Sequence, residues 1–253
     1  MVQNARAFSD LSVAVLAGGL GTRLRSIISD RPKALADIHG RPFLAYLLDQ
    51  LSATGSSSIV LCSGHFGQQI QDAFGEKYGK LRISYSREAR ALGTGGALRL
   101  ALQYLTSDPV LVMNGDSFCT ADLKGFWKWH LSRGSQATVL LTQVPETRRY
   151  GSVKLDPDGT IIEFAEKGKE GVSGFINAGV YLLSRQVIES IPEDAEVSLE
   201  YRIFPKLVSR GLLFGYPSRG RFLDIGTPED FAAAEEFFTA RKRLERAAVY
   251  STR

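Results

Sequence analysis

An apolar run from Leu11 to Leu16 opens directly into a glycine-rich loop, and this junction constrains the fold more than any other stretch of the 253-residue chain. The run reads as a buried strand. Beyond it, Gly18, Gly19 and Gly21 lack the Cβ atoms that would hold a ligand away from the backbone, so their amides can turn toward an anion. Further along, short apolar runs alternate with helical patterns. Ile59 to Cys62, Ile83 to Tyr85, Val110 to Met113 and Ala137 to Thr142 predict strands, whereas Phe43 to Ala53, Phe66 to Phe74, Gly96 to Leu105 and Leu123 to Ser132 predict helices. Such alternation argues for an α/β fold with a mostly parallel sheet and helices on both faces. Ligands in these sheets bind beyond the carboxyl ends of strands, where the glycine loop falls.

The second half of the chain is richer in strands. Ser152 to Leu155 and Ile161 to Ala165, joined by Asp156-Pro157-Asp158-Gly159, predict a hairpin. Phe175 to Leu183 and Leu212 to Tyr216 predict two more strands. Thr227 is a suitable N-cap, with Pro228 at the first helical position and Asp230 at the third. The helix that follows, to about Arg243, would present Phe231, Ala234, Phe237 and Phe238 on one side.

The loop's chemistry is that of a triphosphate cradle. Arg23 offers a planar fork for phosphate oxygens and Lys33 a compact charge. No Gly-Lys-Ser/Thr follows at the spacing of a Walker A loop. Leu24 stands where a dinucleotide fingerprint needs its third glycine. Asp116, in Asn114-Gly115-Asp116 after an apolar run, is placed to hold a metal near phosphates, and Mg²⁺ favours one or two carboxylates plus phosphate oxygens. Glu88 precedes a second glycine-rich segment, Leu92-Gly93-Thr94-Gly95-Gly96. A carboxylate only accepts hydrogen bonds; if it faces a nucleobase, it suits the N1 and N2 donors of guanine better than the mixed edge of uracil or thymine.

The sequence from Leu16 to Leu24, followed by Arg31-Pro32-Lys33, resembles the signature of the sugar-1-phosphate nucleotidylyltransferases, and the resemblance runs from about Ser12 to Phe238. Within the family it looks closest to the guanylyltransferases of D-glycero-α-D-manno-heptose 1-phosphate. The resemblance implies a Rossmann-like, glycosyltransferase-A-like fold with a β-rich sugar-binding lobe. It implies that Leu16, Ala17, Gly18, Gly19, Gly21, Thr22, Glu88, Gly93 and Thr94 bind the nucleotide, with Glu88 facing the nucleobase, and that Tyr150, Gly151, Glu166, Lys167 and Asn177 bind the sugar phosphate. Asp116 and Asp224 would share Mg²⁺, and Arg23, Lys33, Asp116, Lys167 and Asp224 would carry the chemistry. The implied reaction joins GTP to the sugar 1-phosphate with release of pyrophosphate, for bacterial surface polysaccharides. Gly168 follows Glu166-Lys167 where many members carry proline. Mannose 1-phosphate guanylyltransferase, a uridylyltransferase on another sugar phosphate, and a nucleotide-sugar-binding regulatory domain stand as alternatives.

Composition limits the partners. A 44% apolar fraction supports a sizeable core, and a net charge of +4 suits the steering of polyanionic substrates. No basic stripe interleaved with aromatics indicates nucleic acid, and no run approaches the ~20 apolar residues of a membrane span. Cys62 and Cys119 read as free core thiols, and His39, His65 and His130 fall in separate predicted elements and assemble no site. The expected organisation is a flexible tail over residues 1–10 and one cytoplasmic domain over 11–253. A partly apolar C-terminal helix leaves room for a homodimer contact.

Overall fold

The structure, a computed structural model, describes residues 3–4, 7–19, 24, 27–28, 30–165 and 172–251. In chain order its main elements are β1 (Val13–Leu16), α1 (Phe43–Thr54), β2 (Ser58–Ser63), α2 (Gly67–Phe74), β3 (Leu81–Arg87), α3 (Gly93–Ala101), β4 (Val110–Asn114), β5 (Ser117–Cys119) and α4 (Leu123–Arg133). These are followed by β6 (Ala137–Val144), β7 (Ser152–Leu155), β8 (Ile161–Ala165), β9 (Gly174–Leu183), α5 (Arg185–Glu189), α6 (Phe204–Val208), β10 (Leu213–Ser218), β11 (Phe222–Asp224) and α7 (Pro228–Ser251).

The central sheet runs in the order β3–β2–β1–β4–β9–β6–β10. β3, β2, β1 and β4 are parallel. β9 is antiparallel to β4 and to β6, and β10 is again parallel to β6. The expected mostly parallel sheet is therefore present, with β9 the one reversed strand along this path.

Side chains along the inner strands are apolar in both directions, as a sheet covered on both faces requires. Val13, Val15, Leu111 and Met113 face α1, α4 and α7, packing with Leu47, Phe126 and Phe238. Ala14, Val110 and Val112 face the other way, toward Leu98 of α3, Ile188 of α5 and Phe204 of α6. α7 caps the first layer as its pattern predicts, with Ala234, Phe237 and Phe238 buried, and the Tyr46 and Phe238 rings stack at 3.8 Å. Thr227 accepts from Asp230 N at 3.3 Å, so the expected N-cap is formed.

Three expectations need correction. α7 extends to Ser251, beyond Arg243. The helix expected over Gly96 to Leu105 begins at Gly93, ends at Ala101 and is followed by a tight turn over Leu102–Tyr104. The early start is possible because Gly95 N and Gly96 N, otherwise orphaned in a first turn, both donate to Val197 O, at 2.8 and 3.2 Å. The expected free tail includes Phe8, which is buried edge-on against Trp127, while Gln3–Asn4 pair with Ser107–Asp108.

Two details of strand pairing create the site. β9 is long enough to serve two partners along one edge: Val180 to Leu183 pair with β4, and Phe175 pairs with Val153 of β7. Between them Asn177 to Gly179 face a notch, and the register with β6 shifts between Val139 and Leu141. Gly179 has φ +70°, and a Cβ there would stand 2.5 Å from Ser117 Oγ. Separately, the short β5 pairs antiparallel with β11, setting Ser117 opposite Asp224.

Candidate active site

Two clefts open at the carboxyl ends of β1 and β4, and they meet at Asn114 and Asp116, which line both. The larger, about 450 Å³, is lined by Leu16, Ala17, Gly18, Gly19, Lys33, Glu88, Gly93 and Thr94. The smaller, about 160 Å³, is lined by Tyr150, Gly151, Asn177 and Asp224. The residues assigned from sequence to nucleotide and to sugar phosphate thus separate into two adjoining spaces. Gly21, Thr22, Arg23, Glu166 and Lys167 lie outside the described residues.

Charge is concentrated at the junction. Lys33 Nζ is 3.0 Å from Asp116 Oδ2, and the lysine side chain is only 14% exposed. Asp224 is delivered to the same place by the β5–β11 pairing, and Ile225 N donates to Asp116 O at 3.0 Å. Burial first, and the Asp116 charge second, push the Asp224 carboxyl up to about 7, against the pull of Lys33. Asp116 therefore stands with Lys33 on one side and Asp224 on the other, and two neighbouring carboxyl groups are hard-oxygen donors of the chemistry that suits Mg²⁺. Asn114 Oδ1 and Ser117 Oγ, buried beside them, have no hydrogen-bond partner among the described residues.

Glu88 is turned into the larger cleft. Its Oε2 accepts from Leu92 N at 2.8 Å, and Oε1 lies so close to Gly18 that a Cβ there would be 2.3 Å away. Burial raises the carboxyl from its ordinary value. The second glycine-rich segment is largely a joint. Cβ atoms at Gly95 and Gly96 would meet Val197 O at 3.0 Å and Ala195 O at 2.4 Å. Gly93, with φ +70°, turns its α-carbon past Val197 O while lining the cleft. Thr94 donates its hydroxyl to Glu200 Oε2 at 2.7 Å and accepts from Leu199 N at 2.8 Å.

On the smaller side, Asn177 Nδ2 donates to Tyr181 OH at 2.9 Å, and its Oδ1 accepts from Gly179 N at 2.9 Å. Sequence reasoning missed Glu200 and Arg149, both lining this cleft. The Arg149 guanidinium bonds to Thr227 and Asp230 and lies 5.7 Å from the Tyr150 ring centroid. Glu200 carried no signal of its own, because the stretch from Val197 to Phe204 mixes apolar residues with Ser198 and Arg202.

Other reactive side chains stand apart from this junction. Burial pushes the thiols of Cys62 and Cys119 up to about 12, which makes them inert. His130 is buried and bonded through Nδ1 to Thr138 and Ser135, and its Nδ1 lies 2.8 Å from Thr138 Oγ1. His39 bonds to Glu235 O, and His65 packs on Phe66. Among the described residues no helix is long and apolar enough to cross a membrane.

Residues 12–241 match the family model described as nucleotidyl transferase. The chain is 34% identical over 226 residues to the D-glycero-alpha-D-manno-heptose 1-phosphate guanylyltransferase of Aneurinibacillus thermoaerophilus, covering 89% of this chain and 97% of that protein. It is 35% identical over 228 residues to the mannose-1-phosphate guanylyltransferase of Mycobacterium tuberculosis (strain ATCC 25618 / H37Rv), covering 89% of this chain but only 64% of that longer protein. Among solved structures, HddC from Yersinia pseudotuberculosis complexed with GMP-PN superposes with a TM-score of 0.80 at 36% identity, covering 90% of this chain and 99% of that one. With the family model spanning residues 12–241 and a relative of similar length 34% identical along nearly all of it, this protein belongs to the nucleotidyl transferase family, among the sugar-1-phosphate nucleotidylyltransferases.

Proposed function

We propose that the protein transfers the guanylyl group of GTP to a manno-configured sugar 1-phosphate, with D-glycero-α-D-manno-heptose 1-phosphate as the preferred acceptor. The observation that carries this reading is the pair of clefts meeting at Asp116, with Lys33 on one side and Asp224 on the other. Both relatives at 34–35% identity are guanylyltransferases, and the one of similar length is the heptose enzyme. Glu88, turned inward and accepting only, is suited to the donor edge of guanine.

GTP would occupy the larger cleft with its phosphates over Gly18 and Gly19, and the sugar phosphate the smaller one beside Tyr150, Gly151 and Asn177. An oxygen of the sugar phosphate forms a bond to the α-phosphorus as the bond to the bridging α–β oxygen breaks, and pyrophosphate leaves with that electron pair. The nucleophile is already an ionised phosphate, so catalysis rests on position and electrostatics rather than on a strong base. Lys33 would neutralise the triphosphate and hold Asp116 in place. Arg23 would do the same for the departing pyrophosphate, and Lys167 would keep the sugar phosphate at attack distance. Asp116 and Asp224 would hold Mg²⁺, which when bound offsets the charge of the two phosphates drawn together.

The test of the acceptor is product formation. With GTP and Mg²⁺, mass spectrometry should detect GDP-heptose at a higher kcat/KM than GDP-mannose. Preference for mannose 1-phosphate corrects the acceptor, and formation of neither product removes the reading.

A further inference from the structure

Glu200 is nearly buried, yet its carboxylate is met by three hydroxyl groups and, among the described residues, by no cation. Thr94 Oγ1 and Ser198 Oγ both donate to Oε2 at 2.7 Å, and Tyr181 OH donates to Oε1 at 3.2 Å. A buried acid without a cation is costly to keep, and stability alone is served as well by a neutral side chain of the same shape. What a carboxylate supplies is direction, because it accepts hydrogen bonds and cannot donate them.

That direction passes along the chain of contacts. Tyr181 is fully buried and gives its proton to Glu200. Its oxygen is therefore an acceptor toward Asn177, whose Nδ2 stands 2.9 Å away. Asn177 is held by this bond with its Oδ1 on Gly179 N, leaving the second N–H of Nδ2 for the cleft it lines. At the other end Thr94, with its proton committed to Glu200, accepts from Leu199 N and fixes the first turn of α3 beside the larger cleft.

We propose that Glu200 is a positioning residue that, through Tyr181, orients Asn177 as a hydrogen-bond donor toward the sugar hydroxyls. The proposal rests on the assignment of the smaller cleft to the sugar 1-phosphate. The Glu200→Gln variant keeps shape but brings an N–H₂ against a hydroxyl, so one donor in the chain must reverse. KM for the sugar 1-phosphate should rise about tenfold, the scale of one hydrogen bond, while the dissociation constant for GTP, measured by calorimetry, stays within about twofold. Tyr181→Phe should give a similar rise, and the double variant should be no worse than the worse single one, as expected for residues acting in series. A wild-type KM for the sugar phosphate in Glu200→Gln, or fully additive losses, overturns the proposal. If Glu200→Gln does not fold, Tyr181→Phe decides alone by the same criterion.

A readout independent of turnover separates this inference from the functional reading. In ¹⁵N-labelled protein without substrates, the Asn177 side-chain amide signals, assigned by their loss in Asn177→Asp, should move in Glu200→Gln. Unmoved signals overturn the positioning role even in an active enzyme. Absence of pyrophosphate release by the wild type with every substrate pair overturns the functional reading instead.

Discussion

Replacing Asp224 with asparagine should make the protein more stable at pH 8 in the absence of divalent cations, while abolishing its activity. The ordinary aspartate value is 3.8, and burial with the neighbouring Asp116 charge lifts the folded value to about 7. Between these values the folded chain keeps a proton that the unfolded chain has released. Stability therefore falls as pH rises through that window, because the folded state binds more protons. At about 1.4 kcal/mol per tenfold, the ceiling on this loss is about 4 kcal/mol. Asparagine cannot ionise, so the variant escapes it. For a chain of this size about 1 kcal/mol moves Tm by roughly 2–4 °C, well within reach of thermal unfolding. The assay is Tm from pH 4.5 to 8.5 for both proteins, first with chelator and then with Mg²⁺. The variant should gain on the wild type as pH rises with chelator, and Mg²⁺ should raise the wild-type Tm more than the variant's, since only a cation bound to the folded state stabilises it. A difference in Tm that is flat with pH, or an equal response to Mg²⁺, refutes the reasoning.

Other outcomes follow from the same geometry. Lys33→Ala removes the described cation at 3.0 Å from Asp116 and should lower kcat by about 10²- to 10³-fold, the cost of one preorganised electrostatic contact; near-normal turnover in a pyrophosphate-release assay excludes the role. Gly18→Ala sets a Cβ 2.3 Å from Glu88 Oε1 and 3.1 Å from Gly64 N, and at about 1–3 kcal/mol for such overpacking the KM for GTP should rise about tenfold. Burial drives His130 down from 6.5 to about 4, so the unfolded chain takes up a proton that the folded one refuses. Stability should fall as pH drops through that range, by about 3 kcal/mol at most, and His130→Gln should flatten the slope in urea unfolding at pH 7 and pH 4.5.

The parts of the site legible in sequence are those where chemistry and local structure coincide. Gly18, Gly19 and Asp116 sit at the ends of strongly apolar strands, so the strand pattern alone puts them on one rim of the sheet. Asp224 was different: β5 and β11 are three residues each, too short for a periodic signal, and only resemblance to a family paired it with Asp116. The reversal of β9 was also unreadable, because an apolar run carries no direction. The glycines after Leu92 looked like a ligand loop, yet Gly95 and Gly96 are small chiefly because the carbonyls of Val197 and Ala195 lie against them. Glu200 was invisible because the hydroxyls of Thr94 and Tyr181 that surround it come from segments 106 and 19 residues away.

The central claim is that the two clefts bring a guanosine triphosphate and a sugar 1-phosphate together at Asp116. The most direct measurement is pyrophosphate release with Mg²⁺, crossing GTP, ATP, CTP, UTP and dTTP with manno-heptose, mannose and glucose 1-phosphates. The account predicts release only when both substrates are present, with GTP and a manno-configured acceptor far ahead of every other pair. Release with UTP or dTTP at comparable kcat/KM contradicts the part assigned to Glu88, and GTP that binds without releasing pyrophosphate to any acceptor contradicts the claim itself.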